Sequence, residues 1–273
     1  MNPTRTTTAG GSPDRTAMTN RTNDTVVVVH AHPDDEAIFT GGTLLRLAEA
    51  GMRTVVVFAT DGSFEPGDAT AQVRRNEARM ACDRLDVSRV EFLGYGDSGI
   101  RAESKDELAL HRADSAAVSS RLAELIGDER ATALVTYDEG GIYGHPDHLV
   151  VHRAGLHAAA LADLPTVYES TVDREYLHFV ETHLVGNAVN SLIGVDHDRL
   201  NAAPLGVPTV LVTTTIDVRA QCSIKRLAMA DHASQVPHDS PTLTMDDETF
   251  QGAYGFEWYI RRGPPGPLET LAY

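Results

Sequence analysis

An α/β fold, with a mostly parallel sheet between two layers of helices, is predicted by the order of the apolar segments in this chain. Short β-branched runs alternate with longer segments in which apolar residues recur at helical spacing. Continuous apolar strands that alternate with helices are typical of parallel sheets that are buried on both faces. The chain is long enough to bury a sizeable core, with 273 residues of which 42% are hydrophobic.

The individual elements can be assigned most clearly in the first 160 residues. In chain order we predict strands at Thr25–His30, Arg53–Thr60, 90–93 and Ala133–Tyr137, and helices at 42–50, 71–85, 113–126 and 146–157. Beyond residue 165 the pattern is less regular: we predict strands at 167–168 and 209–215, a helix at 219–232, and mobile loops over a cleft at 186–208. The result is a Rossmann-like sheet whose active site is expected at the C-terminal ends of the strands.

Composition narrows the classes of partner. The chain has 23 Lys and Arg against 39 Asp and Glu, a formal charge of −16. A nucleic-acid partner is therefore not expected, because such proteins need a basic face. No apolar stretch is long enough to predict a transmembrane segment, and no secretory signal is evident. We predict a disordered tail at 1–24, a single domain at 25–273 and a cytoplasmic location. Cys82 and Cys222, far apart and outside any CxxC pair, are interpreted as buried thiols.

Two His-Pro-Asp stretches carry the chemistry. His32-Pro-Asp-Asp-Glu36 follows the first predicted strand, and His145-Pro-Asp-His148 follows the fourth. Each places two side chains that commonly bind metals three positions apart, where we expect a helix to begin with proline in its first turn. Imidazole and carboxylate groups at two facing corners of this kind predict a hydrolytic zinc site. A helix start with solvated carboxylates is the alternative for either motif alone.

Together the two motifs resemble the signature of the zinc N-deacetylases related to PIG-L and LmbE. Weaker similarities are spread from Val26 to about Gln235, at Thr60-Asp-Gly62, Arg74-Arg-Asn-Glu77, Leu93-Gly-Tyr-Gly-Asp-Ser-Gly99, Lys225 and His232-Ala-Ser-Gln235. Members of that family remove acetyl groups from N-acetylglucosaminyl substrates, among them a phosphatidylinositol glycolipid, a mycothiol precursor and glycopeptide antibiotics. The resemblance implies an enzyme with one Zn²⁺ ion per chain and a small-molecule or glycopeptide substrate.

The resemblance also implies roles for individual residues. In the family the first Asp of the first motif is the general base and the second binds the metal, which assigns these roles to Asp34 and Asp35. His32 and His148 would complete the ligand set. His145 would face the substrate, and a cationic imidazole there could stabilise the oxyanion or protonate the amine. Tyr143 matches a family tyrosine that reaches the same carbonyl; a structural tyrosine is the alternative.

Three further features admit more than one interpretation. His152 shares a helix face with His148, so both could bind a metal, but the residues between them lack the glutamate of a metalloprotease helix. We interpret His152 as a packing residue or a support for the ligands. The sequence 94–99 matches G-x-G-x-x-G, but a polar loop follows it instead of a helix, so we reject a dinucleotide site. In the family this segment contacts the sugar, which implies that Asp97 holds sugar hydroxyls. Arg75, or its neighbour Arg74, would contact the sugar too, with an exposed helix charge as the alternative.

The class of substrate can be narrowed only by resemblance to particular members of the family. The C-terminal stretch Phe256-Glu-Trp-Tyr259 favours a deacetylase of a glycopeptide-antibiotic precursor of the teicoplanin type, with a role in antibiotic biosynthesis. The alternatives are an amidase of a thiol–sugar conjugate of the mycothiol type and a non-catalytic carbohydrate-binding protein. The last is disfavoured because candidate ligands, base and oxyanion donors are all present.

Overall fold

A seven-stranded, mostly parallel sheet forms the centre of the computed structural model, which describes residues 23–64, 70–180 and 205–272. The strands are β1 (Thr25–His30), β2 (Arg53–Thr60), β3 (Arg89–Tyr95), β4 (Ala133–Tyr137), β5 (Val167–Thr171), β6 (Thr214–Asp217) and β7 (Phe256–Arg262). Their order in the sheet is β3-β2-β1-β4-β5-β7-β6. The first five strands are parallel, and β7 is antiparallel to both β5 and β6. This arrangement confirms the predicted α/β class.

The described residues include ten α-helices in the order of the chain. They are α1 (Asp35–Phe39), α2 (Gly41–Glu49), α3 (Thr70–Arg84), α4 (Ser115–Asp128), α5 (Gly141–Gly144), α6 (Pro146–Leu161), α7 (Arg174–Val180), α8 (Cys222–Asp231), α9 (Pro241–Thr244) and α10 (Asp247–Tyr254). Within the part of the chain that the structure describes, none of the helices is both long and apolar enough to cross a membrane.

The apolar side chains of β1 divide between two hydrophobic cores, one on each face of the sheet. Val26 and Val28 pack into the core that contains Leu44 and Leu47 of α2. The alternate residues, Val27 and Val29, enter the second core with side chains of α4 and α6. Since strand side chains alternate between faces, a continuous valine run supplies both cores at once. A central strand of this kind holds its carboxyl end in a rigid position.

The sequence-based predictions agree with the structure up to residue 161, with element ends shifted by four residues at most. Beyond that point one predicted strand is wrong, and some predicted segments lie outside the described residues. The strand predicted at 209–215 is a 3₁₀ turn at Thr209–Leu211, and pairing begins only at Thr214. Strand β7 and helices α7, α9 and α10 were not predicted. The tail at 1–22 and most of the predicted loop at 186–208 lie outside the described residues.

Strand β7 also holds the helix layer in place through Glu257. Both oxygens of this buried carboxylate accept hydrogen bonds from the first turn of α2, at Gly42 N (2.8 Å) and Thr43 N (2.7 Å). Lys225 of α8, also buried, donates to the same carboxylate at 2.6 Å. A carboxylate at a helix N-terminus satisfies amides that have no partner within the helix. One side chain thereby joins β7, α2 and α8.

Candidate active site

The first corner of the site is the short connection between β1 and α1. Asp34 is the N-cap of α1, with a backbone φ of 120°, and its side chain makes no capping hydrogen bond. Pro33 therefore precedes the helix, and its predicted place in the first helical turn is wrong for this motif. A non-glycine residue at such a φ costs on the order of 1–3 kcal/mol and is typical of functional positions. The Asp34 carboxylate is thus spared from capping and available for chemistry.

The second corner lies between β4 and α6. Pro146 occupies the first turn of α6, as predicted, and His145 is the N-cap, its Nδ1 accepting from Asp147 N at 3.1 Å. The preceding turn places Ile142 at φ 61°. Gly141 also has φ 61°, and a Cβ atom there would lie 2.9 Å from His148 Cβ. The close approach of this turn to α6 therefore requires glycine.

The two corners meet at the carboxylate of Asp35. Its Oδ2 lies 3.4 Å from His32 Nδ1 and 3.4 Å from His148 Nε2. The same oxygen accepts hydrogen bonds from His32 N (2.8 Å) and from the Tyr137 hydroxyl (2.7 Å). Burial acts to raise the pKa of Asp35, but His148 and His32 hold it well below its ordinary value. The structure thus brings together the three residues predicted as metal ligands.

The imidazole of His32 is oriented from behind by Asp147. His32 Nε2 lies 3.1 Å from Asp147 Oδ2, which leaves Nδ1 facing Asp35. Asp147 is fully buried and accepts two hydrogen bonds from Ser98, one from its amide (2.9 Å) and one from its hydroxyl. Against the effect of burial, Asp97 and Asp147 raise the pKa of His32. Carboxylates behind metal-ligating histidines commonly fix the ring in this way.

His145 stands close enough to the same histidines to form an alternative ligand set. Among the described residues, two groups bring together ligand atoms within 4.8 Å of one another. One is His32, His145 and His148; the other is His32, Asp97, His145 and Asp147. In the second group Asp147 is already bonded to Ser98 and His32, which disfavours it as a ligand. Imidazole nitrogens with carboxylate oxygens are the donors that zinc prefers, so the residues present fit such an ion.

The charge predicted for His145 does not agree with the structure. Burial lowers its pKa to about 3, and His32 and His148 lower it further. Its Nδ1 also accepts the helix-capping hydrogen bond, and a second proton on the ring would break that bond. The neutral ring therefore carries its proton on Nε2. In this site His145 is a neutral donor rather than the predicted cation.

Tyr143 and Asp34 complete the group of candidate catalytic residues. The Tyr143 hydroxyl lies 3.4 Å from His148 Nε2, and burial raises the pKa of Tyr143 well above its ordinary value, so the hydroxyl stays protonated. Burial also raises the pKa of Asp34 to about 6, although the guanidinium of Arg74, 3.5 Å away, opposes the shift. A carboxylate, a protonated phenol and a neutral imidazole thus surround the candidate ligands.

The residues proposed for sugar binding have different surroundings. Asp97 lies 3.5 Å from His32 Nε2, and its side chain is 17% exposed, so it can still reach a bound hydroxyl group. Arg75 pairs with Asp61 at 2.8 Å and lies over the ring of Phe92. Arg74, rather than Arg75, contacts the candidate base. The assignments of Asp97 and Arg75 to the sugar stay predictions.

The surroundings of His152 and of the glycine-rich segment agree with their interpretation from the sequence. His152 approaches Tyr137 O (2.9 Å) and Glu169 Oε1 (3.4 Å), which suits the interpretation as a packing residue. The glycine-rich segment after β3 leads to no α-helix before Ser115, in agreement with the rejection of a dinucleotide site. Sequence reasoning missed the supporting roles of Tyr137, Ser98 and Asp147. Asp147 had a signal in its place inside the second motif, and Ser98 had a weaker one in the segment Leu93–Gly99.

The fold and the site fit a metal-dependent hydrolase, because candidate ligands, base and hydrogen-bond donors converge at the carboxyl ends of β1 and β4. The sequence model of the GlcNAc-PI de-N-acetylase (PIG-L) family matches residues 27–159. The 1D-myo-inositol 2-acetamido-2-deoxy-α-D-glucopyranoside deacetylase of Acidothermus cellulolyticus is 32% identical over 257 residues, or 86% of this chain and 87% of that protein. The enzyme of the same name from Salinispora arenicola is 31% identical, with 92% and 89% covered.

Solved structures share the fold at lower sequence identity. A deacetylase of the teicoplanin biosynthesis pathway has a TM-score of 0.57 and 17% identity, and the match covers 89% of this chain and all of that one. The N,N'-diacetylchitobiose deacetylase of Pyrococcus horikoshii has a TM-score of 0.55 and 20% identity, with 88% and 84% covered. The chain belongs to the PIG-L family of N-deacetylases. The two relatives from Acidothermus and Salinispora are, by name, deacetylases of a 2-acetamido-2-deoxyglucoside.

Proposed function

We propose that this protein removes the acetyl group from the N-acetylglucosamine of 1D-myo-inositol 2-acetamido-2-deoxy-α-D-glucopyranoside. The observation that carries this proposal is the identity of 31–32% over 86–92% of the chain to deacetylases of that name. The glycopeptide substrate favoured by the sequence has less support, because the teicoplanin-pathway deacetylase of known structure is 17% identical and shares the fold only. The relatives therefore favour the mycothiol-type alternative over antibiotic biosynthesis. The reaction would be hydrolysis of the acetamide of a sugar–inositol conjugate.

Zinc is the ion we propose, held by His32, Asp35 and His148. The convergence of both imidazoles on Asp35 Oδ2 supports this set. An ion there would polarise the acetamide carbonyl and lower the pKa of a nearby water molecule. His145 is left out of the set because its Nδ1 accepts the cap of α6, so that Nε2 carries the ring proton and is a hydrogen-bond donor rather than a metal ligand.

Proton transfer, stabilisation of the oxyanion and sugar binding are assigned to the protein's own side chains. Asp34 accepts a proton from the attacking water, as its uncapped carboxylate and its pKa of about 6 allow. His145 donates from Nε2 to the oxygen that gains negative charge, and the hydroxyl of Tyr143 donates to the same oxygen. The departing amine requires a proton, which Asp34 can return once it has taken one. Asp97 is positioned to accept hydrogen bonds from sugar hydroxyls.

The proposal is tested by measuring acetate release from a panel of substrates with zinc-loaded protein. The panel contains the inositol glycoside, N,N'-diacetylchitobiose, an N-acetylglucosaminyl glycopeptide of the teicoplanin type and a thiol–sugar amide. We expect kcat/KM for the inositol glycoside to exceed the others by about 100-fold or more, because buried polar groups left unpaired by a wrong substrate are costly. Removal of the metal with a chelator should abolish turnover, and zinc should restore it. A preference for the glycopeptide would overturn the substrate assignment but not the chemistry.

The role of Tyr143 gives a second test. Tyr143→Phe should lower kcat by about 10-fold to 100-fold, which is the usual value of a hydrogen bond to a charged group, with metal content unchanged. Tyr168→Phe, in β5, is the matched control: it also removes a tyrosine hydroxyl, but one that bonds to Glu269, away from the site. Equal rates for wild type and Tyr143→Phe would return Tyr143 to the structural alternative.

A further inference from the structure

A buried Glu–His pair lies directly beneath the candidate base. Glu36 of α1 and His232, the residue that follows α8, are both completely buried. His232 Nε2 lies 2.5 Å from Glu36 Oε1, and the two side chains share a hydrogen bond. The other carboxylate oxygen, Oε2, accepts the backbone amide of Asp34 at 3.0 Å. The pair therefore ends on the backbone of the residue proposed as the general base.

The peptide bond between Pro33 and Asp34 is held from its other end as well. Arg74 donates to Pro33 O at 2.8 Å and to Gly62 O at 2.9 Å. The amide N–H and the carbonyl of one peptide unit are thus both bound by buried charged side chains, Glu36 on one side and Arg74 on the other. A peptide bond is planar, so fixing both of its polar groups fixes its orientation. Its orientation determines where the Cα of Asp34 directs the carboxylate.

The backbone at this point needs such support. Asp34 has a φ of 120°, a conformation that residues with a side chain rarely adopt, and its own side chain does not cap the helix. Without the acceptor from Glu36, the Asp34 amide would be free to rotate the peptide towards a relaxed conformation. Conformations of this kind persist only where the surroundings determine them. The required contacts come from α1, α3 and the end of α8, three elements far apart in the sequence.

We propose that Glu36 and His232 are positioning residues that keep the Pro33–Asp34 peptide in its strained conformation and so hold the Asp34 carboxylate in place for proton transfer. Neither residue contacts the predicted ligands His32 and His148 through a hydrogen bond in the part of the chain described. They act on catalysis through Asp34 and leave metal binding unchanged. This inference rests on the proposed role of Asp34 in deacetylation.

The chain supplies a matched control in Glu77. This buried glutamate of α3 accepts hydrogen bonds from the amide (2.9 Å) and hydroxyl (2.5 Å) of Ser234, two residues after His232. Glu77→Met therefore removes a buried carboxylate that binds the same segment but does not reach the Asp34 peptide. It should lower the melting temperature and leave kcat close to that of wild type.

The test compares Glu36→Met, Glu36→Gln and Glu77→Met in the zinc-loaded protein. Glu36→Met should lower kcat by about 100-fold, because small displacements of a reacting group have effects of this size, with KM and zinc content unchanged. Glu36→Gln keeps an acceptor for the Asp34 amide and an amide donor for a neutral His232, and it should recover most of that loss. Where Glu36→Met fails to fold, Glu36→Asp retains the charge but shortens the reach, and kcat should still fall by about 10-fold. His232→Gln, which keeps a donor for Glu36, should retain most of the activity.

A second readout does not depend on the substrate. Hydrogen exchange of the Asp34 amide should accelerate in Glu36→Met and stay slow in Glu77→Met. An unchanged kcat in Glu36→Met, or equal losses of kcat in Glu36→Met and Glu77→Met, would overturn the proposal. If the wild type does not hydrolyse the inositol glycoside, the proposed function fails, whereas the exchange measurement still decides whether Glu36 holds the peptide.

Discussion

Asp34→Asn is expected to lower kcat by about 10³-fold to 10⁴-fold while the protein keeps its metal, since a positioned general base contributes an effect of this order. The substituted amide is nearly the same size as the carboxylate but cannot accept a proton. Asp34 contacts Arg74 and not the nitrogens of His32 or His148 through its side chain. The measurements are steady-state kinetics and metal content by elemental analysis.

Asp114→Asn provides a control on the same kind of position. Asp114 is the N-cap of α4, and its side chain accepts from Ala116 N, a hydrogen bond that asparagine can also accept. We expect this variant to have the activity of wild type. Loss of metal from Asp34→Asn would move Asp34 into the ligand set, and near-normal activity would remove it from the mechanism.

The pH dependence of the wild type offers a further readout on Asp34. Burial raises the pKa of this carboxyl to about 6, with Arg74 opposing, so the protonated form accumulates as the pH falls through that value. Because only the ionised form accepts a proton, kcat/KM should decrease on the acid side. A bound cation would shift this limb to lower pH, and the apparent value belongs to the coupled site as a whole. Asp34→Asn should lack the limb.

The first half of the fold was predictable because its signals are local. The valine run of β1 feeds two cores, and a helix follows it, so the sequence alone predicts a buried parallel strand. The two motifs could be placed for the same reason: each follows a strand that ends at the same edge of the sheet. A buried strand and the proline-containing turn after it can be recognised from the local sequence, without knowledge of their tertiary contacts.

The C-terminal part was not predictable, because its elements depend on distant contacts. Strand β7 pairs with β5 and β6 and carries Glu257, whose role is visible only against the N-terminus of α2. The pairing of Glu36 with His232 joins residues 196 positions apart. Likewise, no spacing rule places the carboxylate of Asp147 behind His32 or makes His145 a neutral helix cap. These features arise from burial and tertiary hydrogen bonds, which a local pattern does not encode.

His148→Ala is expected to lose the metal together with turnover, by about 10³-fold or more, whereas His145→Ala should keep the metal. The reason is the different use of their ring nitrogens. His148 directs Nε2 towards Asp35 Oδ2 and is stacked on Tyr137, with ring centroids 3.9 Å apart, so its position is fixed for binding. His145 has Nδ1 committed to the cap of α6 and only Nε2 free. His32→Ala should behave like His148→Ala.

The comparison of these histidines decides between two ligand sets, in which His32 and His148 are joined either by Asp35 or by His145. His145→Ala should lower kcat by about 10²-fold to 10³-fold through the loss of an oxyanion donor, with one zinc ion still bound per chain. His152→Gln serves as the control, because His152 lies one turn after His148 on α6 and bonds only to Tyr137 O and Glu169 among the described residues. Its metal content and rate should match wild type. If His145→Ala lost its zinc, the set of His32, His145 and His148 would be correct. Asp35 would then orient the rings of His32 and His148, since its Oδ2 lies 3.4 Å from a nitrogen of each.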